Sequence, residues 1–423
     1  MSGRRTFTPP GPFRPSFWRS PLRGPWLTSM LGSLLLPLVL IVAATGFLSH
    51  TAYQPDLGRN AVLDRAHDFQ LFIFSWPSSP SWLYALTQGL HVNVGIVAVP
   101  LLLAKLWSVI PRLFAWPPLR NPAMAVERAS LVLLVGSVLF EFATGILNAQ
   151  IYYPWHFNFV RAHYYGAWVF SAALVAHLVV KLPVVVRAFR DRGVLRPLRA
   201  SLRETEPEPH DPDGLAPVAP AEPTLSRRGL LGLVGVGSLT LLAVSVGQTV
   251  GGPLRRAALL APRGRAFGTG PNDFQVNKGA AVARIPLAQV GDSWRLLLDA
   301  PQPISLSRDD LLSMPHYTYD LPIACVEGWT TTQRWTGVRL VDLAELAGAS
   351  PGSLLHVESL QPRGAFRQVT LNPAQASDPR SLLALKVNGA DLSLDHGYPA
   401  RIIVPAAPGV HCTKWVASIE LRA

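Results

Sequence analysis

The sequence predicts a multi-domain chain. An α-helical transmembrane bundle, four helices plus one anchor helix, is followed by a mixed α+β, strand-rich domain. Three observations lead there. The 423 residues are 49% hydrophobic and only 15% charged, with a mean hydropathy of +0.25, which is too apolar for an ordinary soluble chain. Five apolar stretches reach the roughly 20 residues that a bilayer core requires. From about Arg263 onward such stretches stop and short β-prone runs take over.

The five stretches are Leu27–Leu48, Trp82–Ile110, Arg128–Leu147, His163–Val186 and Gly229–Val250. Arginines alternate between them. Arg4, Arg5, Arg14, Arg19 and Arg23 precede the first, Arg112, Arg120 and Arg128 separate the second from the third, and a dense set from Arg187 to Arg203 follows the fourth. The loops Ser49–Ser81 and Asn148–Ala162 carry few positives. The positive-inside bias therefore predicts a multi-pass cell-membrane protein with a cytoplasmic N-terminus and an extracytoplasmic C-terminal domain. It also accounts for the net charge of +12. No basic helix is interleaved with aromatics, so a nucleic-acid partner is not expected.

This gives a cytoplasmic segment 1–26, a four-helix membrane domain 27–190, a linker 191–225, an anchor helix 226–250 and an exported domain 263–423. The stretch Glu204–Pro223, ETEPEPHDPDGLAPVAPAEP, is rich in proline and acid and reads as a flexible cytoplasmic linker. Leu225-Ser226-Arg227-Arg228-Gly229 before the last apolar run resembles a twin-arginine export signal retained as an anchor, a route for folded, cofactor-loaded domains. Two arginines flanking a span would look the same.

In the exported domain, strands are expected at Trp294–Leu298, Leu354–Ser359, Phe366–Leu371, Ala400–Val404 and Trp415–Leu421, and a short helix at Leu340–Ala347. Asn388-Gly389 between Leu385–Val387 and Ala390–Leu392 is a two-residue hairpin signal. The chain has two cysteines, Cys325 and Cys412, too few for a disulfide-stapled scaffold. Half of one bridge, an inert core residue and a metal ligand are the three roles open to Cys325.

Cys325-Val326-Glu327-Gly328-Trp329 with Trp335-Thr336-Gly337-Val338, and Asp395-His396-Gly397-Tyr398-Pro399-Ala400-Arg401 with Pro408-Gly409 and Lys414-Trp415, resemble the sulfite-oxidase fold of molybdopterin enzymes. The resemblance implies molybdenum–molybdopterin as cofactor, with Cys325 supplying a thiolate to molybdenum, a role suited to a soft ligand. It implies that Arg401, Lys414 and His396 receive the pterin phosphate, where a bidentate fork and point charges are needed. Asn277, Lys278, Trp329 and His411 complete the expected cofactor-binding set. Cys412 matches no family requirement and is expected to remain a free, buried thiol.

Two departures narrow the substrate. Asn277, in Phe274-Gln275-Val276-Asn277-Lys278-Gly279, stands where sulfite oxidases place an anion-binding arginine. Glu327-Gly328-Trp329 is similar to the bacterial periplasmic sulfoxide-reductase branch. The resemblance thus favours a neutral S-oxide or N-oxide, with Cys325, Asn277 and Glu327 as the catalytic set.

His91 lies near the outer end of the second apolar stretch, and His163 and His177 lie fourteen residues apart on the fourth. That spacing returns to nearly one helical face, displaced by about 21 Å. It resembles the haem ligands of four-helix membrane cytochromes b, and implies one b haem between His91 and His163, or His91 and His177 if the helices are staggered. An intramembrane histidine is costly and marks a functional site. His67, His156 and His210 fall in loops. The expected enzyme is an oxidoreductase passing electrons between the quinone/quinol pool, haem b and extracytoplasmic molybdenum. A sulfite-type oxidase and a non-enzymatic membrane protein with an exported binding domain are the alternatives.

Overall fold

A computed structural model describes residues 10–62, 71–115, 122–211, 214–300, 302–350 and 352–422. Arg4, Arg5, Arg120 and His67 lie outside the described residues. The helices are α1 (Pro25–Ala52), α2 (Leu83–Leu113), α3 (Pro122–Ala149), α4 (Phe159–Arg192), the single turn α5 (Arg196–Arg199), α6 (Arg227–Ala243), the turn α7 (Gly247–Val250), α8 (Ala280–Ala283), α9 (Arg308–Ser313), α10 (Leu340–Leu346) and α11 (Pro373–Ser377). Among the described residues, five helical segments are long and apolar enough to cross a membrane: Pro25–Ala52, Leu83–Leu113, Arg128–Ala149, Phe159–Arg192 and Arg227–Val250. The expected fifth stretch is broken, because α6 ends at Ala243 and the chain turns before α7.

The ends of α4 follow from local chemistry. Asn158 caps its start by accepting from Arg161 N at 3.0 Å, and Gly193 takes φ +73° at its end, with Arg190 and Arg192 in the last turn.

The chain clusters into two units. One comprises residues 1–43, 94–148 and 152–243; the other comprises 44–93, 149–151 and 244–423. The expected division kept 27–190 together, whereas the clustering assigns the C-terminal part of α1, the loop after it and the start of α2 to the strand-rich unit. Hydrogen bonds explain this. Trp76 Nε1 donates to Ala406 O at 2.7 Å, and Asn60 Nδ2 donates to Thr370 O at 2.7 Å.

Two acidic residues of the expected linker Glu204–Pro223 have fixed partners. Within the helical unit, the Glu208 carboxylate is buried, accepting from Trp26 N at 2.8 Å and Leu27 N at 3.3 Å, with Arg192 Nη1 at 3.5 Å. The carboxylate satisfies orphan amides at the start of α1. Asp211 accepts from Leu215 N and Ala216 N in the same segment. Arg227 is buried, donating to Pro21 O and Glu206 O.

The strands are β1 (Arg295–Asp299), β2 (Ile304–Ser307), β3 (Tyr317–Ala324), β4 (Thr330–Arg339), β5 (Leu354–Ser359), β6 (Gln368–Leu371), β7 (Leu382–Val387), β8 (Ala390–Asp391), β9 (Arg401–Ile403) and β10 (Val416–Arg422). They form two sheets, β2-β1-β10-β5-β6 and β3-β4-β7-β8, with β9 on β7. The expected strand at Phe366–Leu371 begins only at Gln368. Asn388 at φ +51° and Gly389 at φ +86° make the predicted tight turn between β7 and β8.

Strand β7 is buried on both faces. Leu383 and Leu385 enter a core with Leu298, Val357, Leu371, Ile402 and Ile419; Leu382 and Ala384 enter a second one with Ile323, Trp335, Ile403 and both cysteines. The period-2 alternation decides the site. On β9, Ile402 serves the first core, which turns Arg401 and Ile403 toward the second, where Cys325 lies.

Candidate functional site

Strands β3 and β4 pair from Tyr317↔Gly337 to Ala324↔Thr330, so Cys325–Trp329 is the loop of this hairpin. Gly328 N donates to Cys325 O at 2.9 Å and Cys325 N to Trp329 O at 3.0 Å. Gly328 takes φ +89°, a conformation that closes the loop and favours glycine. The thiol reaches a small pocket lined by Phe274, Gln275, Val276, Asn277, Ile323, Cys325, Trp329, Thr331, His396, Arg401, Gly409 and Lys414.

The cavity collects buried cations. Arg401 donates through Nη1 to His396 O at 3.1 Å and through Nη2 to Cys412 O at 3.2 Å, and its guanidinium lies 5.0 Å from the Trp335 ring centroid. Lys414 Nζ donates to Asp395 O at 2.9 Å and to Lys278 O. His396 stacks on Phe274 at 3.7 Å, with its Nε2 at 2.9 Å from Asn272 O.

Burial pulls Arg401 down to about 10. Burial, then the nearby Arg401 charge, pulls Lys414 down to about 6, with Asp395 opposing in part. Burial, reinforced by Arg401, lowers His396 to about 4, and burial alone lowers His411 to about 4. Burial, helped by the Glu327 charge, pushes the Cys325 thiol up to about 12.

Six expected site residues are thus brought together: Cys325, Asn277, Trp329, His396, Arg401 and Lys414. Three stand off the lining. Lys278 lends its carbonyl to Lys414. His411 is buried against Tyr53, with ring centroids 5.7 Å apart. Glu327, expected to act in catalysis, has its carboxylate engaged by Arg263 Nε and Nη2 at 2.9 and 2.8 Å and by Trp329 Nε1 at 2.7 Å, so it braces the cysteine loop. Sequence reasoning missed Thr331, which alternation along β4 would have turned inward, and Arg263, which carries no local signal. Both cysteines are free and buried.

The donor set suits molybdopterin. Among the described residues, Arg401 Nε, His411 Nδ1 and Thr413 Oγ1 are buried without a hydrogen-bond partner. Buried cations matched mainly by backbone carbonyls are expensive unless an anion joins them. On the facing wall stands one buried thiol, whose proton a metal ion displaces on binding. No three His, Cys, Asp or Glu side chains converge among the described residues, and Cys325 is the cysteine on the pocket lining.

The histidines expected to hold haem are described within their own units. His163 Nδ1 lies 2.9 Å from Thr144 Oγ1 and 3.2 Å from a Glu141 carboxylate oxygen. A carboxylate or hydroxyl on the far ring nitrogen is what orients a metal-binding imidazole. His177 instead has Lys105, Lys181 and Arg112 as its charged neighbours. His91 packs on α1 at Gly46, where a Cβ would come 2.8 Å from the imidazole.

Residues 282–423 match the family described as oxidoreductase molybdopterin binding domain. Human mitochondrial sulfite oxidase is 32% identical over 160 residues, covering 31% of this chain and 29% of that protein. The NADH nitrate reductase of Volvox carteri is 33% identical over 178 residues, 35% of this chain and 20% of that protein. An uncharacterized oxidoreductase of Bacillus subtilis is 34% identical over 144 residues, 32% of this chain and 69% of that protein. The strand-rich fold and cation-lined cysteine cavity define a molybdopterin-binding oxidoreductase domain of the sulfite-oxidase type. This chain belongs to that family. It spans under a third of the length of the sulfite oxidase and nitrate reductase it matches.

Proposed function

We propose that the chain is a membrane-bound, molybdopterin-dependent oxidoreductase that draws electrons from a quinol by way of a b-type haem and reduces an S-oxide or N-oxide outside the cytoplasm. The net reaction is quinol plus S-oxide to quinone, sulfide and water. The carrying observation is the cavity in which Cys325 faces Arg401 and Lys414. When bound, the cofactor supplies the oxygen-atom transfer chemistry.

The chain's own residues do the rest. Arg401 and Lys414 present cationic donors to the pterin phosphate. The Asn277 side chain lines the cavity, with its Oδ1 already accepting from Lys278 N at 2.8 Å, which leaves the amide N–H₂ to donate to a neutral oxide oxygen. Trp329 and Phe274 supply apolar wall. Arg401 is the one arginine among the lining residues and is assigned to the phosphate, so no second guanidinium stands there to clamp an anionic substrate as a sulfite site requires.

Haem ligation by His91 and His163 is supported by the carboxylate and hydroxyl around His163 Nδ1 and by the glycine against His91. The membrane reading is supported by the five long apolar helices, and an extracytoplasmic domain by the arginine alternation. Measuring molybdenum and haem b together in the purified full chain tests the reading, with about one of each expected per chain. Absence of molybdenum would leave a non-enzymatic membrane protein. Molybdenum with full b-type absorption retained in His91→Ala would remove the haem assignment. Protease added to spheroplasts should degrade residues 263–423 and spare 204–223; the reverse pattern would overturn the topology.

A further inference from the structure

The loop that presents Cys325 is held from outside its own hairpin, by two hydrogen-bond relays within the strand-rich unit. In the first, Ser49 Oγ on α1 donates to Gln88 Oε1 at 2.5 Å, and Gln88 Nε2 on α2 donates to Val326 O at 2.6 Å. In the second, Asn93 Nδ2 on α2 donates to Thr249 Oγ1 at 2.8 Å, and Thr249 Oγ1 on α7 donates to Gly328 O at 2.5 Å. The two carbonyls captured are those on either side of Glu327, and both lie within three residues of the thiol.

Close approach makes these relays short. A Cβ at Gly328 would come 2.8 Å from Val92, and one at Gly89 would come 2.4 Å from Thr249 Cγ2. Gln88, Asn93 and the three carbonyl-flanking residues are buried or half-buried, so water is a poor substitute partner. Neither relay bonds to the thiol or to a cavity-lining group.

We propose that Gln88 and Thr249 are positioning residues for Cys325: helix α2 and the α7 turn set the height and orientation of the metal-binding loop, which the C-terminal domain does not fix alone. The consequence for molybdenum rests on Cys325 being its ligand, as proposed above; the consequence for the thiol does not.

The test uses the full chain made in cells deprived of molybdenum, with alkylation by iodoacetamide followed at Cys325 and Cys412 separately by peptide mass spectrometry. Gln88→Leu and Thr249→Val should each accelerate labelling of Cys325 several-fold, leave the rate at Cys412 unchanged under conditions where each variant is fully folded, and accelerate labelling of Cys325 further in combination. Thr249→Ser, which keeps the hydroxyl, should restore the wild-type rate. In cells supplied with molybdate, the same two variants should lose bound molybdenum faster on dialysis. Wild-type labelling at Cys325 in both single variants would overturn the proposal, and so would equal acceleration at both thiols, which reports general loosening. A wild-type chain that holds no molybdenum would refute the functional reading and leave the labelling result standing.

Discussion

Two buried charge clusters in this chain are built on opposite principles. In the helical unit, Glu208 is enclosed by the amides of Trp26 and Leu27 and by Arg192, so its charge is matched on the spot. In the strand-rich unit, Arg401 and Lys414 are enclosed beside His396 with backbone carbonyls for partners and no carboxylate between them; both clusters leave buried polar atoms over, Arg192 Nη1 and Arg227 Nε in the first, Arg401 Nε in the second. A matched charge holds segments together. An unmatched cluster in a cavity draws in an anion.

The largest way to break the comparison is at the facing wall. Cys325→Ser replaces a soft ligand by a poor one and should abolish both turnover and molybdenum retention. Cys412→Ser, at the back of the same core, should keep most of both. Equal losses, with a bridged Cys325–Cys412 peptide in the wild type, would show instead that the thiol is structural.

Removing one member of each cluster sharpens the contrast. Arg401→Met should strip the chain of molybdopterin, yet leave the cofactor-free protein as stable as the wild type or up to about 4 kcal/mol more so, because an unmatched buried cation is gone. Glu208→Ala should leave cofactor content intact and cost about 3 kcal/mol, since it orphans two amides at the start of α1 and the buried end of Arg192. Thermal unfolding in detergent alongside molybdenum analysis reads both. Loss of stability in Arg401→Met without its cofactor would erase the distinction.

The last contrast is a pH slope. Lys414 is held near 6 when folded and titrates near 10.5 when unfolded. Between those values the unfolded chain carries a proton that the folded chain lacks, so stability of the cofactor-free protein rises with pH across the window. The slope approaches about 1.4 kcal/mol per pH unit. Subtracting the profile of Lys414→Met isolates it. Loading the cofactor should flatten the slope, because a phosphate beside Lys414 restores its charge. A slope of the opposite sign would mean that the lysine is already paired.

Much of the architecture was legible locally. Apolar run length marked the helical segments, and the Asn388-Gly389 turn marked β7 and β8, because both depend on neighbours in the chain. The Cys325 block and the His396–Arg401 block were legible as a resemblance, and alternation on β9 carries Arg401 to the same side as the thiol. In the acidic stretch 204–223 the role of Glu208 was illegible, because composition reports the average tendency of a segment and not the one carboxylate that meets a helix start over 180 residues away. The ion pair of Glu327 was illegible for the same reason: its partner, Arg263, is 64 residues distant.

What the sequence by itself determined was the long helices, most of the strands though not β2, β3 or β4, and the chemical inventory of the site, since periodicity, turn chemistry and ligand type are properties of short stretches. Only the tertiary structure decided which charges are matched, which polar atoms are left for a ligand, and that Gln88 and Thr249 hold the carbonyls beside Cys325. Those outcomes depend on pairing between residues far apart in the chain, where a hydrogen bond forms or fails within a few tenths of an ångström.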